Sequence, residues 1–235
     1  MKNTILFDLD GTLLPFDQGD FITSYFSKLT SHLAREKACD QEMLTKVIWA
    51  GTKAIVENDG SMSNRERFFQ TFVELTGWDI SEWEELFLGF YQGEFDQVKE
   101  VLGKSYGQPQ MLQDLRYRGF SLVLATAPLF PEAAVSTRLS WIGLGIDDFD
   151  YVTTYENSTY CKPSTAYYRE VLEKIGKRPE DCLMIGNNIR EDMVAEALGI
   201  KTFLVNEYLE NPEKADPSVY QNGNFEELKI FLQNL

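Results

Sequence analysis

The chain has 235 residues, of which 43% are hydrophobic and 13% aromatic, ample for a packed core in one large domain or two small ones. Asp and Glu number 37 against 22 Lys and Arg, a formal charge of -15, and no basic block is present to neutralise a phosphate backbone, which excludes nucleic acid as an expected partner. The N-terminus lacks a basic region followed by a long apolar segment, and no run approaches the ~20 apolar residues of a membrane span. Cys39, Cys161 and Cys182 are widely spaced and odd in number, as for reduced thiols rather than a disulfide framework. The expectation is a cytoplasmic enzyme with no membrane partner.

The first predicted element is a strand within "ILFDLDGTLL". Ile5, Leu6, Phe7 and Leu9 suit a strand covered on both faces, as in a parallel sheet, and Gly11 with Thr12 turns the chain out of it. Asp8 and Asp10 share one side of the strand tip because side chains alternate with period two. Two like charges that close call for something positive between them. Asp is a favoured turn residue, but two acids closing a buried strand are costly without a cation. From about 17 to 105 the pattern is helical, in "FITSYFSKLTSHL", "EMLTKVIWAGTKAIVE", "RERFFQTFVELTG" and "SEWEELFLGFYQGEF", broken by turns at "NDGSMSN" and "GWDIS". Phe26, Trp49, Phe68, Trp83, Phe87 and Tyr91 recur there at helical spacings and are expected in a core, with some facing the crevice. His32, the only histidine, is expected at the surface of this segment and argues against a histidine base.

From about 108 helices and strands alternate. "PQMLQDLRYRG" reads as a helix closed by Gly119, "FSLVLAT" as a buried strand, "PEAAVSTRLSWIG" as a helix with Pro at its start and "YVTT" as a short strand. "STAYYREVLEKIG" reads as a helix capped by Ser164, "CLMIG" as a buried strand, "REDMVAEALG" as a helix ending in Gly199, "TFLV" as a strand and "NFEELKIFLQ" as a last helix. The pattern is α/β, a doubly wound sheet of about five parallel strands. A crossover needs only a dozen or more residues, so the long helical segment must be an inserted domain, leaving residues 1–16 and 106–235 as the core and 17–105 as the insert. Ligands in such sheets sit beyond the carboxyl ends of the strands. That rule selects Asp8 and Asp10, Thr126, the segment leading to Lys162, and Asn187 through Asp192. Carboxylates, a hydroxyl and an ammonium on one edge can hold a divalent cation and a phosphate together.

These motifs resemble those of the haloacid dehalogenase superfamily, most of whose members are magnesium-dependent phosphatases. "DLDGT" is similar to the family's first motif, Thr126 in "LVLATAP" to the second, Lys162 in "CKPS" to the third and "IGNNIREDM" to the fourth, and the insert resembles the family's helical cap. Two departures stand out. Ala127 occupies a place that commonly holds Asn, and Gly186-Asn187-Asn188 replaces the usual Gly-Asp, leaving Asp192 as the carboxylate that matches.

The resemblance implies that Asp8 is a nucleophile forming an aspartyl-phosphate and Asp10 a general acid and base. It further implies that Thr126 and Lys162, with Gly11 and Thr12, bind the phosphate, and that Asp8, the Asp10 carbonyl, Asn187 and Asp192 hold Mg2+ as cofactor. Each residue also has a plainer reading. Thr126 could be a strand-end hydroxyl, Lys162 a solvated lysine held extended by Pro163, and Asp192 an acid at a helix start; Arg190 and Glu191 read as solvated. The expected substrate is a small phosphorylated metabolite, and oligomeric state stays open. The alternatives are a dehalogenase of the same fold, which needs neither Asp10 nor a metal, and a catalytically weakened ligand-binding relative.

Overall fold

The computed structural model describes residues 3–235. Its centre is a six-stranded sheet in the order β3-β2-β1-β4-β5-β6, every pairing parallel. The strands are β1 (Thr4–Phe7), β2 (Ser121–Leu124), β3 (Tyr151–Val152), β4 (Cys182–Gly186), β5 (Lys201–Val205) and β6 (Asn222–Gly223). The fold is α/β and doubly wound. One strand more is present than the sequence predicts, because β6 consists of two residues, Asn222 and Gly223, and has no apolar run to announce it.

Between β1 and the next core helix lie α1 (Gln18–Lys37), α2 (Gln41–Val56), α3 (Asn64–Thr76), α4 (Ile80–Gln92) and a 3-10 segment, Glu94–Val101. Their starts are written in the sequence: the side chains of Asp17, Asp40, Ser63 and Asp79 each accept backbone N–H groups at a helix N-terminus. After them come α5 (Gln108–Tyr117), α6 (Glu132–Ser140), α7 (Thr165–Ile175) and α8 (Phe225–Gln233). Ser164 caps α7 through the Ala166 N–H, as its sequence predicts.

Alternation along the strands divides the core. Ile5, Phe7, Leu122, Leu124 and Ile185 face a cluster shared with α5, α8 and the inserted helices, whereas Leu6, Val123 and Met184 pack against Tyr167, Tyr168 and Val171 of α7. The segment expected as a helix over "REDMVAEALG" is a 3-10 turn, Met193–Leu198. Asn188 explains the shortening: its side chain accepts from the Arg190 and Glu191 N–H groups and its carbonyl from Asp192 N–H. Too few residues remain for a full α-helix, and short pieces adopt the tighter pattern.

Two side-chain expectations change. Trp49 is 45% exposed rather than core, and His32 is half-buried against Phe90 with Nδ1 bonded to Glu94 rather than at the surface. Among the described residues no helix is long and apolar enough to cross a membrane.

Candidate active site

Chain geometry brings the four post-strand loops to one edge. The backbone ladder runs on past β1, with Asp8 N–H donating to Ile185 O and Ala125 N–H to Phe7 O, so the residues after β1, β2 and β4 stand side by side. A cavity of about 40 Å³ opens there, lined by Asp8, Asp10, Thr126, Asn187, Asp192 and Glu210 among others.

Lys162 is the positive charge that Asp8 requires. Its Nζ donates to Asp8 Oδ1 at 2.8 Å and to Asp192 Oδ1 at 2.6 Å, and its side chain is fully buried. The solvated-lysine reading is thereby excluded. Burial works to lower the ammonium pKa, but the Asp192 and Asp8 carboxylates outweigh it and hold Lys162 well above its ordinary value. Lys162 lies behind the carboxylates and is not among the residues that line the cavity, so its charge reaches the site through Asp8 and Asp192. Asp192 itself is buried, with Oδ2 accepting from Asn188 N–H. Burial raises its pKa against the pull of Lys162. Gly186 makes this packing possible, since a Cβ there would come within 2.1 Å of Asp192 Oδ2.

Asp10 has a different cation. Arg138 of α6, fully buried, donates from Nη1 to both Asp10 oxygens at 2.9 and 2.6 Å. Its guanidinium lies 4.3 Å over the Phe130 ring, and among the described residues Nη2 finds no hydrogen-bond partner. Burial raises the Asp10 pKa, opposed by Arg138 and reinforced by Asp8. The sequence reading missed Arg138, an ordinary basic residue in a helix whose burial depends on α6 packing against the insert.

Gly11 and Thr12, expected at the phosphate, also make bonds within the loop. Gly11 takes φ +73 and gives its N–H to Leu14 O, while the Thr12 N–H goes to Leu9 O and its hydroxyl to Asn187 Oδ1 at 3.1 Å. They shape the loop and steady Asn187, whose Nδ2 donates to Tyr208 O at 2.6 Å. Thr126 is buried and lines the cavity, its carbonyl held by the hydroxyls of Thr153 and Tyr167.

The cavity has further acids. Glu191, read as solvated, is half-buried at its wall, and Glu210 joins from the loop after β5, bonded to Asn188 Nδ2. Burial raises both pKa values, with Asp8 adding to each. Glu210 had a signal in the sequence, because the rule that selects post-strand residues applies to the segment following "TFLV" as well. Among the described residues no group of three or more His, Cys, Asp or Glu is arranged as a ready metal cage, since Lys162 and Arg138 hold three of the carboxylates. The donor chemistry nevertheless fits a hard cation: five carboxylates and three amide side chains, all able to supply oxygen, meet on one small void.

The haloacid dehalogenase-like hydrolase profile matches residues 2–219. The chain belongs to this family. It is an enzyme, a hydrolase whose curated relatives are phosphatases. A pyrophosphatase PpaX of Bacillus cereus is 25% identical over 203 residues, covering 86% of this chain and 82% of the relative. A glyceraldehyde 3-phosphate phosphatase of Methanothermobacter thermautotrophicus is 28% identical, with 95% and 93% covered. In fold the chain is similar to a HAD phosphatase from Thermococcus onnurineus, with a TM-score of 0.61 at 20% identity and 99% and 98% covered. The Bacillus subtilis HAD-hydrolase YfnB, solved bound to magnesium, has a TM-score of 0.56 at 20% identity with 98% of each chain covered.

Proposed function

We propose that this hydrolase is a Mg2+-dependent phosphomonoesterase that releases phosphate from a small phosphorylated metabolite by way of an aspartyl-phosphate on Asp8. The observation that carries the reading is the convergence of Asp8, Asp10, Glu191, Asp192 and Glu210 with Thr126 on one void at the carboxyl edge of the sheet. That much negative charge in one place favours a hard divalent cation, which a dehalogenase attacking carbon does not need. Asp8, the Asp10 carbonyl, Asn187 and Asp192 would hold Mg2+. When bound, the metal neutralises phosphoryl oxygens and orients them for in-line displacement.

The protein's own groups do the rest. Lys162 fixes Asp8 Oδ1, which leaves Oδ2 to attack phosphorus. As the bond to Asp8 forms, the ester P–O bond breaks and the departing alcohol oxygen takes a proton from Asp10. Water then attacks the acyl-phosphate and returns a proton to Asp10, which restores Asp8 and frees inorganic phosphate. Because Arg138 holds both oxygens of Asp10, this role requires the carboxyl to turn from Arg138 toward the ester. The Thr126 hydroxyl donates to a non-bridging oxygen. Residues 17–105 act as a cap over the core formed by 1–16 and 106–235, excluding water and choosing the substrate.

Phosphate release from a panel of phosphorylated metabolites, with and without Mg2+, tests the proposal. Asp8→Asn should lower turnover by about a thousandfold or more while circular dichroism stays unchanged, as loss of a covalent nucleophile requires. Activity within about threefold of the parent rejects Asp8 as nucleophile.

A further inference from the structure

A second cavity, of about 100 Å³, adjoins the site, and its lining is of another kind. Phe21, Tyr25, Phe26, Trp49, Phe87 and Phe130 form much of the wall, and among the described residues no Asp, Glu, Lys or Arg contributes to it. Two segments connect the cavities. Gln18, at the start of α1, lines both, and the next turns of α1 carry Phe21 and Tyr25 into the aromatic one. The loop after β2 gives Thr126 and Ala127 to the acidic site and Leu129 and Phe130 to the aromatic pocket. At 1.5 Å per residue, Gln18 to Tyr25 spans about 10 Å, the reach of a small leaving group.

Three hydroxyls of this pocket already have partners. The Tyr25 and Tyr91 hydroxyls bond each other at 2.7 Å, and the Thr52 hydroxyl donates to Ile48 O. A polyol entering here would find those three hydroxyls already paired and an otherwise mostly apolar wall, a poor replacement for its water. Trp49, 45% exposed, stacks on Phe26 with ring centroids 4.7 Å apart and forms an aromatic rim. The volume is of the order of the roughly 150 Å³ apolar cavity that admits one benzene ring.

We infer that the alcohol half of the substrate is apolar, a ring or branched chain of about six carbons joined to the phosphate, seated in the pocket between α1, α2, α4 and the loop after β2. The inference rests on the phosphatase reading. Its test compares benzyl phosphate with glycerol 1-phosphate, both esters of primary alcohols, so that leaving-group acidity contributes little. With Mg2+, kcat/KM should favour benzyl phosphate by at least about tenfold, the scale on which an apolar pocket discriminates. Trp49→Ala should shrink that ratio by about fivefold or more, and Trp49→Phe should largely keep it, because the aromatic wall is what recognises the ring. A ratio near one, a preference for glycerol 1-phosphate, or a ratio indifferent to Trp49→Ala overturns the inference and leaves the phosphatase reading standing. No phosphate from either ester overturns both.

Discussion

Arg138 and Asp10 form an ion pair in which the guanidinium is fully buried and the carboxylate side chain is only 17% exposed. A pair of this kind gains little over an apolar replacement of both partners, but removal of one leaves the other charge stranded. Arg138→Met should therefore destabilise the fold by about 3 kcal/mol or more, measured by urea unfolding. Adding Asp10→Asn should recover part of the loss, since the stranded carboxylate is gone; strictly additive losses would mean that Asp10 does not depend on Arg138. Lys162 stands in the same position toward Asp8 and Asp192, so three site carboxylates are held by two buried cations.

The loop after β4 is the element on which the proposed cation site depends. Asn187 stands where the family pattern has Asp, and its amide both accepts from Thr12 and donates to Tyr208 O. A carboxylate in its place cannot donate, so it would face the Tyr208 carbonyl with like charge while adding a strong ligand for a hard cation. Asn187→Asp should accordingly lower Tm without Mg2+ and show a larger Mg2+-induced rise in Tm than the parent, because ligand binding to the native state stabilises by mass action. Equal rises in the two proteins would place residue 187 outside the metal's coordination. Gly11 sets the spacing of this element, as a Cβ there would meet Asn187 Nδ2 at 2.2 Å.

At the scale of the whole molecule, the inserted helices and the sheet share one continuous apolar cluster, in which Phe21, Phe72 and Phe90 belong with Leu122, Leu124 and Ile185. Asn64 adds a polar link. Fully buried at the start of α3, it donates from Nδ2 to Pro128 O and Tyr160 O, while its backbone N–H reaches Ser158 O. Asn64→Ala would leave two carbonyls unsatisfied, which costs about 2–4 kcal/mol. Calorimetry should show a single transition shifted to lower temperature, because insert and core are coupled through the same cluster. Two separated transitions would show that the insert melts by itself.

The sequence alone was sufficient for the parallel α/β architecture, the order of nearly all elements and most helix starts, because apolar runs, Gly stops and capping side chains act over a few residues. Asp8 and Asp10 announced themselves in the same local way, as charge at the end of a buried strand. What closed around them was decided by tertiary structure. Arg138 lies 128 residues from Asp10 in the chain and meets it only because α6 packs against α4 and the 94–101 segment, at the loop that follows β1. Lys162 was legible as a post-strand cation, but its withdrawal behind Asp8 and Asp192 depends on all three loops being in place. The two-residue β6 likewise exists only because it pairs with β5, whereas the 3-10 form of Met193–Leu198 is set locally by the Asn188 turn. Hydrophobic period and capping are local properties, whereas a buried charge takes its partner from whichever element the fold brings alongside.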